Sequence, residues 1–151
     1  MTPAELERYL HDHIPLSRAM QVSVIAADDV QVELAAPLAP NINHRETVFG
    51  GSASAIAILA AWSLVHTRLA RSGRAARLVI QRNTMAYDAP VAGGFGARAA
   101  VDANAWDSFV RMLDRKGRAR IAVAATLLDA HGRAAGRLDG AFVALGAMHL
   151  G

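Results

Sequence analysis

Cysteine is absent from the 151 residues, and that absence excludes disulfide scaffolding, a thiolate nucleophile, zinc knuckles and iron-sulfur ligation. Aromatic residues are scarce at 5%, and charged residues, at 19%, fall below the roughly 25% of an average soluble protein. Lysine is nearly missing: Lys116 is the single one, so positive charge is carried by arginine. No apolar run reaches the roughly 20 residues a membrane helix needs, since the longest, residues 53–65, is interrupted by Ser54 and Ser63. The first ten residues carry Glu5 and Glu7 and contain no apolar core of the kind a targeting signal requires, so a cytoplasmic protein without a membrane partner is expected.

What the chain does have is 53% hydrophobic residues, with alanine rather than aromatics making up the excess. That composition excludes disordered and fibrous classes. Residues 1–151 are expected to form one domain, because a second would need roughly 100 residues more. The net charge of +3 arises from 16 basic against 13 acidic residues. So small an imbalance gives no reason to expect a nucleic-acid partner, although arginine suits local contact with phosphate.

Along the chain, Thr2 and Pro3 open an amphipathic helix over residues 3–13, with Leu6, Tyr9 and Leu10 on one face. Pro15 is read as its end. Alternating valines predict strands over residues 20–26 and 30–36, joined at Asp28 and Asp29. A polar loop, residues 41–47, leads through Gly50, Gly51 and Ser52 into a helix over residues 53–71 that is apolar on nearly every face and must be wrapped by other structure. Strands are predicted over residues 76–87, 95–101, 119–128 and 136–145. A short helix capped by Asp102 or Asn104 runs through Lys116 to a stop at Gly117. Most strands are consecutive, which fits an α+β fold with an antiparallel sheet wrapped around one long central helix better than a doubly wound parallel sheet.

Chemistry concentrates at the start of that helix. The first N–H groups of a helix are unpaired and lie at the positive end of its dipole, and a Gly-Gly-Ser entry lets a carbonyl or anion approach them closely. The same three residues would also serve a tight turn with a serine cap.

Several segments together resemble the hotdog-fold thioesterases, and among them the YiiD C-terminal-domain family. The resemblance rests on Asn41, Asn43, His44, Arg45, Glu46 and the string Thr47-Val48-Phe49-Gly50-Gly51-Ser52. Further on it rests on Ala60-Ala61-Trp62, on Tyr87 with Pro90 and Val91, and on residues 115–120. It implies a hotdog fold, a homodimer joined edge to edge through its sheets, with tetramer formation left open, and acyl-thioester tunnels between protomers. It also implies hydrolysis of an acyl-CoA or acyl-carrier-protein thioester by water. The substrate would bring its own coenzyme A moiety, with no separate cofactor and no metal. The carbonyl would be polarised by the Gly51 N–H, and Asn43 would position water.

The sequence departs from better-known relatives in two places. Phe49 stands where many have histidine, and residues 53–65 contain no Asp or Glu where several carry the catalytic carboxylate. Glu46 is then the nearest carboxylate to act as base, with His44 as an alternative proton carrier and Ser52 as a hydrogen-bonding group. Coenzyme A phosphates could be met by arginine near two helix ends: Arg74 and Arg77 with Arg68 and Arg71, and Lys116 and Arg118 with Arg115 and Arg120. The same charges also complement the negative ends of the helix dipoles. Arg82, in a strand of apolar neighbours, must face solvent, a partner subunit or the tunnel. Two other classes stay in view. A non-catalytic acyl-thioester binder is favoured by the missing helix carboxylate, and a dehydratase would need a His–carboxylate pair that is not visible.

Overall fold

The computed structural model describes residues 1–146. Its elements in chain order are α1 (Pro3–His13), α2 (Pro15–Ala19), β1 (Ser23–Ala27), β2 (Gln31–Ala36), a 3-10 turn (Ala39–Asn41) and α3 (Gly50–Arg71). After these come β3 (Ala76–Tyr87), β4 (Phe95–Ala100), α4 (Ala103–Lys116), β5 (Arg118–Leu128) and β6 (Ala134–Gly146). The six strands form one antiparallel sheet in the order β1-β2-β4-β5-β6-β3. β3 therefore pairs with β6 alone, at the far edge, although it follows β2 in sequence. The connection between them is α3, which crosses the face of the sheet and packs against β2, β3, β4, β5 and β6.

That crossing explains the helix's composition. Ile56, Ala57, Ala60, Ala61, Leu64 and Val65 are all fully buried, and alanine at three of these positions lets the strands close over the helix. Each fully buried Leu, Ile or Val contributes about 1.5–3 kcal/mol. At 22 residues α3 is longer than its apolar run suggested, and by length and composition it could cross a membrane. Most of that stretch is instead buried against the sheet.

Four local expectations are corrected. Pro15 does not end helical structure; it occupies the first position of α2, where its fixed φ is favourable and its missing N–H costs nothing. β1 accordingly begins at Ser23 rather than residue 20, and Met20 is buried in the core. α3 begins at Gly50, three residues early, so its N-cap is Phe49 and Ser52 is not a cap. β6 starts at Ala134, ahead of the expected residue 136. At α4 the cap is Asp102, which accepts from the Ala105 N–H at 2.9 Å, and Gly117 closes the helix at φ 73°.

A bulge decides the direction of Arg82. Ile80 pairs with the buried Phe142, and the register then slips so that Arg82 pairs with Ala141. Side chains alternate along a strand, so the extra residue turns Arg82 away from the helix onto the outer face of the sheet. There it shares a shallow groove with Arg120, Arg137 and Asp139.

α1 covers part of α3 through a column of rings. Tyr9 stacks on His66 at 4.8 Å, and His66 on Trp62 at 4.5 Å. Trp62 donates to the Leu78 carbonyl at 3.0 Å, tying the column to β3. Burial, and secondarily the charge of His13, hold the His66 pKa below its ordinary 6.5. The folded state therefore keeps His66 neutral where the unfolded chain is already protonated, so stability falls as pH drops through about 6.5 and levels off once the folded form is protonated too. In urea titrations at about pH 8 and about pH 5.5, His66→Gln should show a smaller loss of stability between the two than the wild type.

Candidate active site

The loop before α3 is organised by one asparagine. Asn43 Oδ1 accepts from the backbone N–H groups of Arg45, at 2.8 Å, and Thr47, at 3.1 Å, while its Nδ2 donates to Thr47 Oγ1 at 2.9 Å. The Asn43 N–H donates to the Thr47 carbonyl, and Ile42 bridges Val48. This closes residues 42–48 into a tight loop of the kind Asn favours. Glu46 lies at its tip, exposed, with φ 61°, a left-handed conformation uncommon for a side chain of that size. Asn41 is a structural neighbour: it is buried, and its Nδ2 donates to the carbonyls of Met20 and Pro37.

The loop delivers the chain to the start of α3. The first bond of the helix runs from the Ala53 N–H to the Phe49 carbonyl, and no side chain caps it. The N–H groups of Gly50, Gly51 and Ser52 are therefore left without an acceptor among the described residues. Gly51 is exposed and lies under the Phe49 ring, so close that a Cβ there would collide with the ring. Ser52 is half-buried in the same turn. Phe49 itself is 57% exposed, and its ring has no proton to give or take.

Tyr87, at the end of β3, holds this turn in place. Its hydroxyl donates to the Gly50 carbonyl at 3.0 Å. The chain beyond it is fixed too: Asp88 and Ala89 both donate N–H to the Ala135 carbonyl, and the Val91 carbonyl accepts from Val48 at 2.8 Å. This accounts for the Tyr87, Pro90 and Val91 pattern, which joins strand end, loop and helix start. Between them lies a cavity of about 350 Å³, lined by Asn43, Thr47, Ala53, Tyr87, Asp88 and Leu127, among others. That size is at the lower end of the roughly 300–1,000 Å³ of small-molecule sites. Of the residues expected from the sequence, Asn43 lines it, whereas Glu46, Gly51 and Ser52 do not; α3 reaches it through Ala53, and Asp88 is the carboxylate in the lining.

A census of carboxylates sharpens that difference. Glu5, Asp28, Asp102 and Asp129 accept from backbone N–H groups in a cap or turn, and Glu7 accepts from Val24. Asp12, Asp29, Glu33, Asp114 and Asp139 are paired with arginines. Of the 13 acidic residues this leaves Glu46, Asp88 and Asp107 without a partner among the described residues. Asp88 is the one of these three that reaches the cavity. Its local sequence carries no signal for this, because Asp88 meets the cavity only where the end of β3 lies beside the start of α3.

The arginines fall into two groups. Arg68 lies 4.3 Å over the Trp106 ring, Arg71 binds Asp29 at 2.8 Å, and Arg74 makes a two-pronged pair with Asp114 at 2.9 and 2.8 Å. That pairing pulls the Asp114 carboxyl below its ordinary range, chiefly through the hydrogen bond from Arg74. These three fasten the C-terminal end of α3 to other parts of the fold. Arg77 and Arg118 are exposed and sit opposite Leu145 from either side of β6, hence on the same outer face. Lys116 ends α4 and has a partner of its own.

One antiparallel sheet wrapped on a long central helix, with the helix start opening beside a cavity, defines a hotdog-fold protein of thioesterase type. More narrowly, the chain belongs to the family described as "Putative thioesterase (yiiD_Cterm)", whose model matches residues 3–146. A protein of unknown function from Chlorobaculum tepidum TLS is similar at 29% identity and TM-score 0.89, over 96% of this chain and 97% of that one. A putative thioesterase from Shewanella oneidensis is similar at 26% identity and TM-score 0.85, over 95% and 96%. A thioesterase from Staphylococcus aureus, at 10% identity and TM-score 0.69 over 87% and 98%, shares the fold.

The Tyr87 tether is directly testable. Tyr87→Phe removes one partly exposed hydrogen bond, so it should lower stability by about 0.5–1.5 kcal/mol in a denaturant titration without altering the far-UV circular dichroism.

Proposed function

We propose that the protein hydrolyses an acyl thioester, with water attacking a carbonyl whose oxygen is held by the Gly51 N–H. The observation that carries this reading is the uncapped start of α3, which is bonded through Gly50 to Tyr87 and reaches, at Ala53, a cavity lined by Asn43 and Tyr87. An oxyanion forming there would meet donors already in position, and such preorganised donors are each worth on the order of 10²-fold or more in rate. Asn43 would act on water through the half-exposed loop it organises, because its side chain is already engaged within residues 43–48. Ser52 adds a hydroxyl in the same turn. Glu46, the base expected from the sequence, would have to reach the cavity from the loop tip.

The substrate carries its own coenzyme A or carrier-protein arm. Of the basic residues expected to meet phosphate, Arg77 and Arg118 are exposed side by side with Leu145 on the outer face, and Arg115, Lys116 and Arg120 are exposed as well. Arg74 would first have to release Asp114. Two copies joined along β3 form the active species in this reading. The strand is twelve residues long, occupies the sheet edge, and exposes Val79 and Ile80. An open edge of that length, with its unpaired N–H and C=O groups, is a ready template for pairing with another strand.

A second reading, an acyl-thioester binder that does not turn over, is favoured by the lack of any Asp or Glu on α3. A chain-length panel of acyl-CoAs separates the two when free thiol and binding are followed in parallel. Thiol release that saturates with ester is expected, and saturable binding without release by folded protein would establish the binder instead. Within the enzyme, Glu46→Ala should leave kcat largely intact if the glutamate stays at its exposed position; a loss on the order of 10²-fold would make it the base. Arg77→Ala and Arg118→Ala should raise KM for coenzyme A esters more than for pantetheine esters. Equal effects on both would remove the phosphate role.

A further inference from the structure

Hydrolysis by water needs a group that takes a proton as the oxygen attacks, and α3 carries none. We infer that Asp88 is that general base, a role that rests on the thioesterase reading. Three observations converge on it. Asp88 is the carboxylate that lines the cavity beside the start of α3. Its side chain has no ion pair or hydrogen bond among the described residues, whereas the carboxylates that cap helices and turns or pair with arginine are already occupied. Its position is also fixed on both sides. The preceding Tyr87 is bonded to Gly50, the Asp88 and Ala89 N–H groups are bonded to Ala135, and Val91 is bonded to Val48. A free carboxylate on an anchored segment next to unpaired helix N–H groups supplies the acceptor and the oxyanion donors from one small region.

The chemistry balances with water as the only co-reactant. The Asp88 carboxylate accepts one proton from water while the water oxygen bonds to the thioester carbon, and the carbonyl oxygen becomes the oxyanion held at the start of α3. Collapse of that intermediate restores the carbonyl and breaks the carbon-sulfur bond. The thiolate leaves with the proton from Asp88, which returns to its carboxylate form, and the products are a carboxylic acid and a thiol. Asn43 lines the same cavity from the loop side.

The inference predicts a defect in chemistry rather than in binding or folding. Asp88→Asn keeps the shape and removes the base. Using an acyl-CoA that the wild type hydrolyses, it should lower kcat by about 10²–10⁴-fold. Binding of a non-hydrolysable ketone analogue of the same acyl-CoA should stay within about threefold of wild type. The acid limb of the wild-type kcat–pH profile should disappear in Asp88→Asn, and Asp88→Glu should restore part of the rate. Asp107→Asn, another unpartnered carboxylate but on α4, serves as the control and should keep full kcat. If Asp88→Asn, folded by circular dichroism and binding the analogue, retains kcat within about threefold, the assignment is overturned while the hydrolase reading stands. A rate lost only in Glu46→Ala would overturn it in favour of the loop glutamate. A wild type that binds the analogue but releases no thiol from any ester would overturn the hydrolase reading, and this assignment with it.

Discussion

A helix that is apolar on nearly every face has no stable place in water, and most of this molecule is arranged around that fact. α3 cannot present a wet side for most of its length, so the sheet must run past it on several strands and α1 must cover part of what remains. The alanines decide how closely this is done, since Ala57, Ala60 and Ala61 are fully buried and bring the helix axis near the strands. The strand order follows from the same constraint. A helix that enters from β2 and leaves into β3 while lying across the sheet puts β3 at the far edge, beyond β6.

The wrapped helix also creates its own point of reactivity. Its N-terminal turn emerges from the core, and two features keep the turn's donors open there. Phe49 cannot cap it, and glycine at positions 50 and 51 offers no side chain of its own. Elsewhere side chains meet backbone donors at turns and helix starts: Thr2, Asp28, Asp102 and Asp129 all accept from backbone N–H groups. α1 and α4 carry side-chain caps, whereas α2 and α3 do not, and it is α3 whose start lies beside the cavity. The Asn43 loop and the Tyr87 tether hold this turn from two sides, so the open donors rest on a rigid frame.

Charge follows a similar division. Arg68, Arg71 and Arg74 were legible as a basic cluster at a helix end, and the helix dipole explains why they are there. Their partners were not legible. Trp106, Asp29 and Asp114 lie about 40 residues away in the chain and meet these arginines only when α4 and the β1–β2 turn fold against the end of α3. Arg82 shows the same limit at finer scale. Simple alternation would have turned it toward the helix, and a single inserted residue at the bulge sends it outward.

The sequence by itself determined the long buried helix, the six strands in their order along the chain, the glycine-bearing helix start, and the family, because each of these is a local pattern or a short contiguous string. It misjudged the Pro15 segment and the cap of α3, since a proline can open a helix as well as end one, and serine near a helix start need not cap it. Only the tertiary structure decided which carboxylate stands at the cavity. Glu46 is near Gly51 in sequence yet stands outside the cavity lining, while Asp88, also exposed and 37 residues beyond Gly51 in the chain, is brought to the cavity because β3 ends beside the first turn of α3. The physical reason is that proximity in an antiparallel sheet wrapped on a helix is set by where elements end, and the position of those ends is fixed by burial of α3 across the whole sheet.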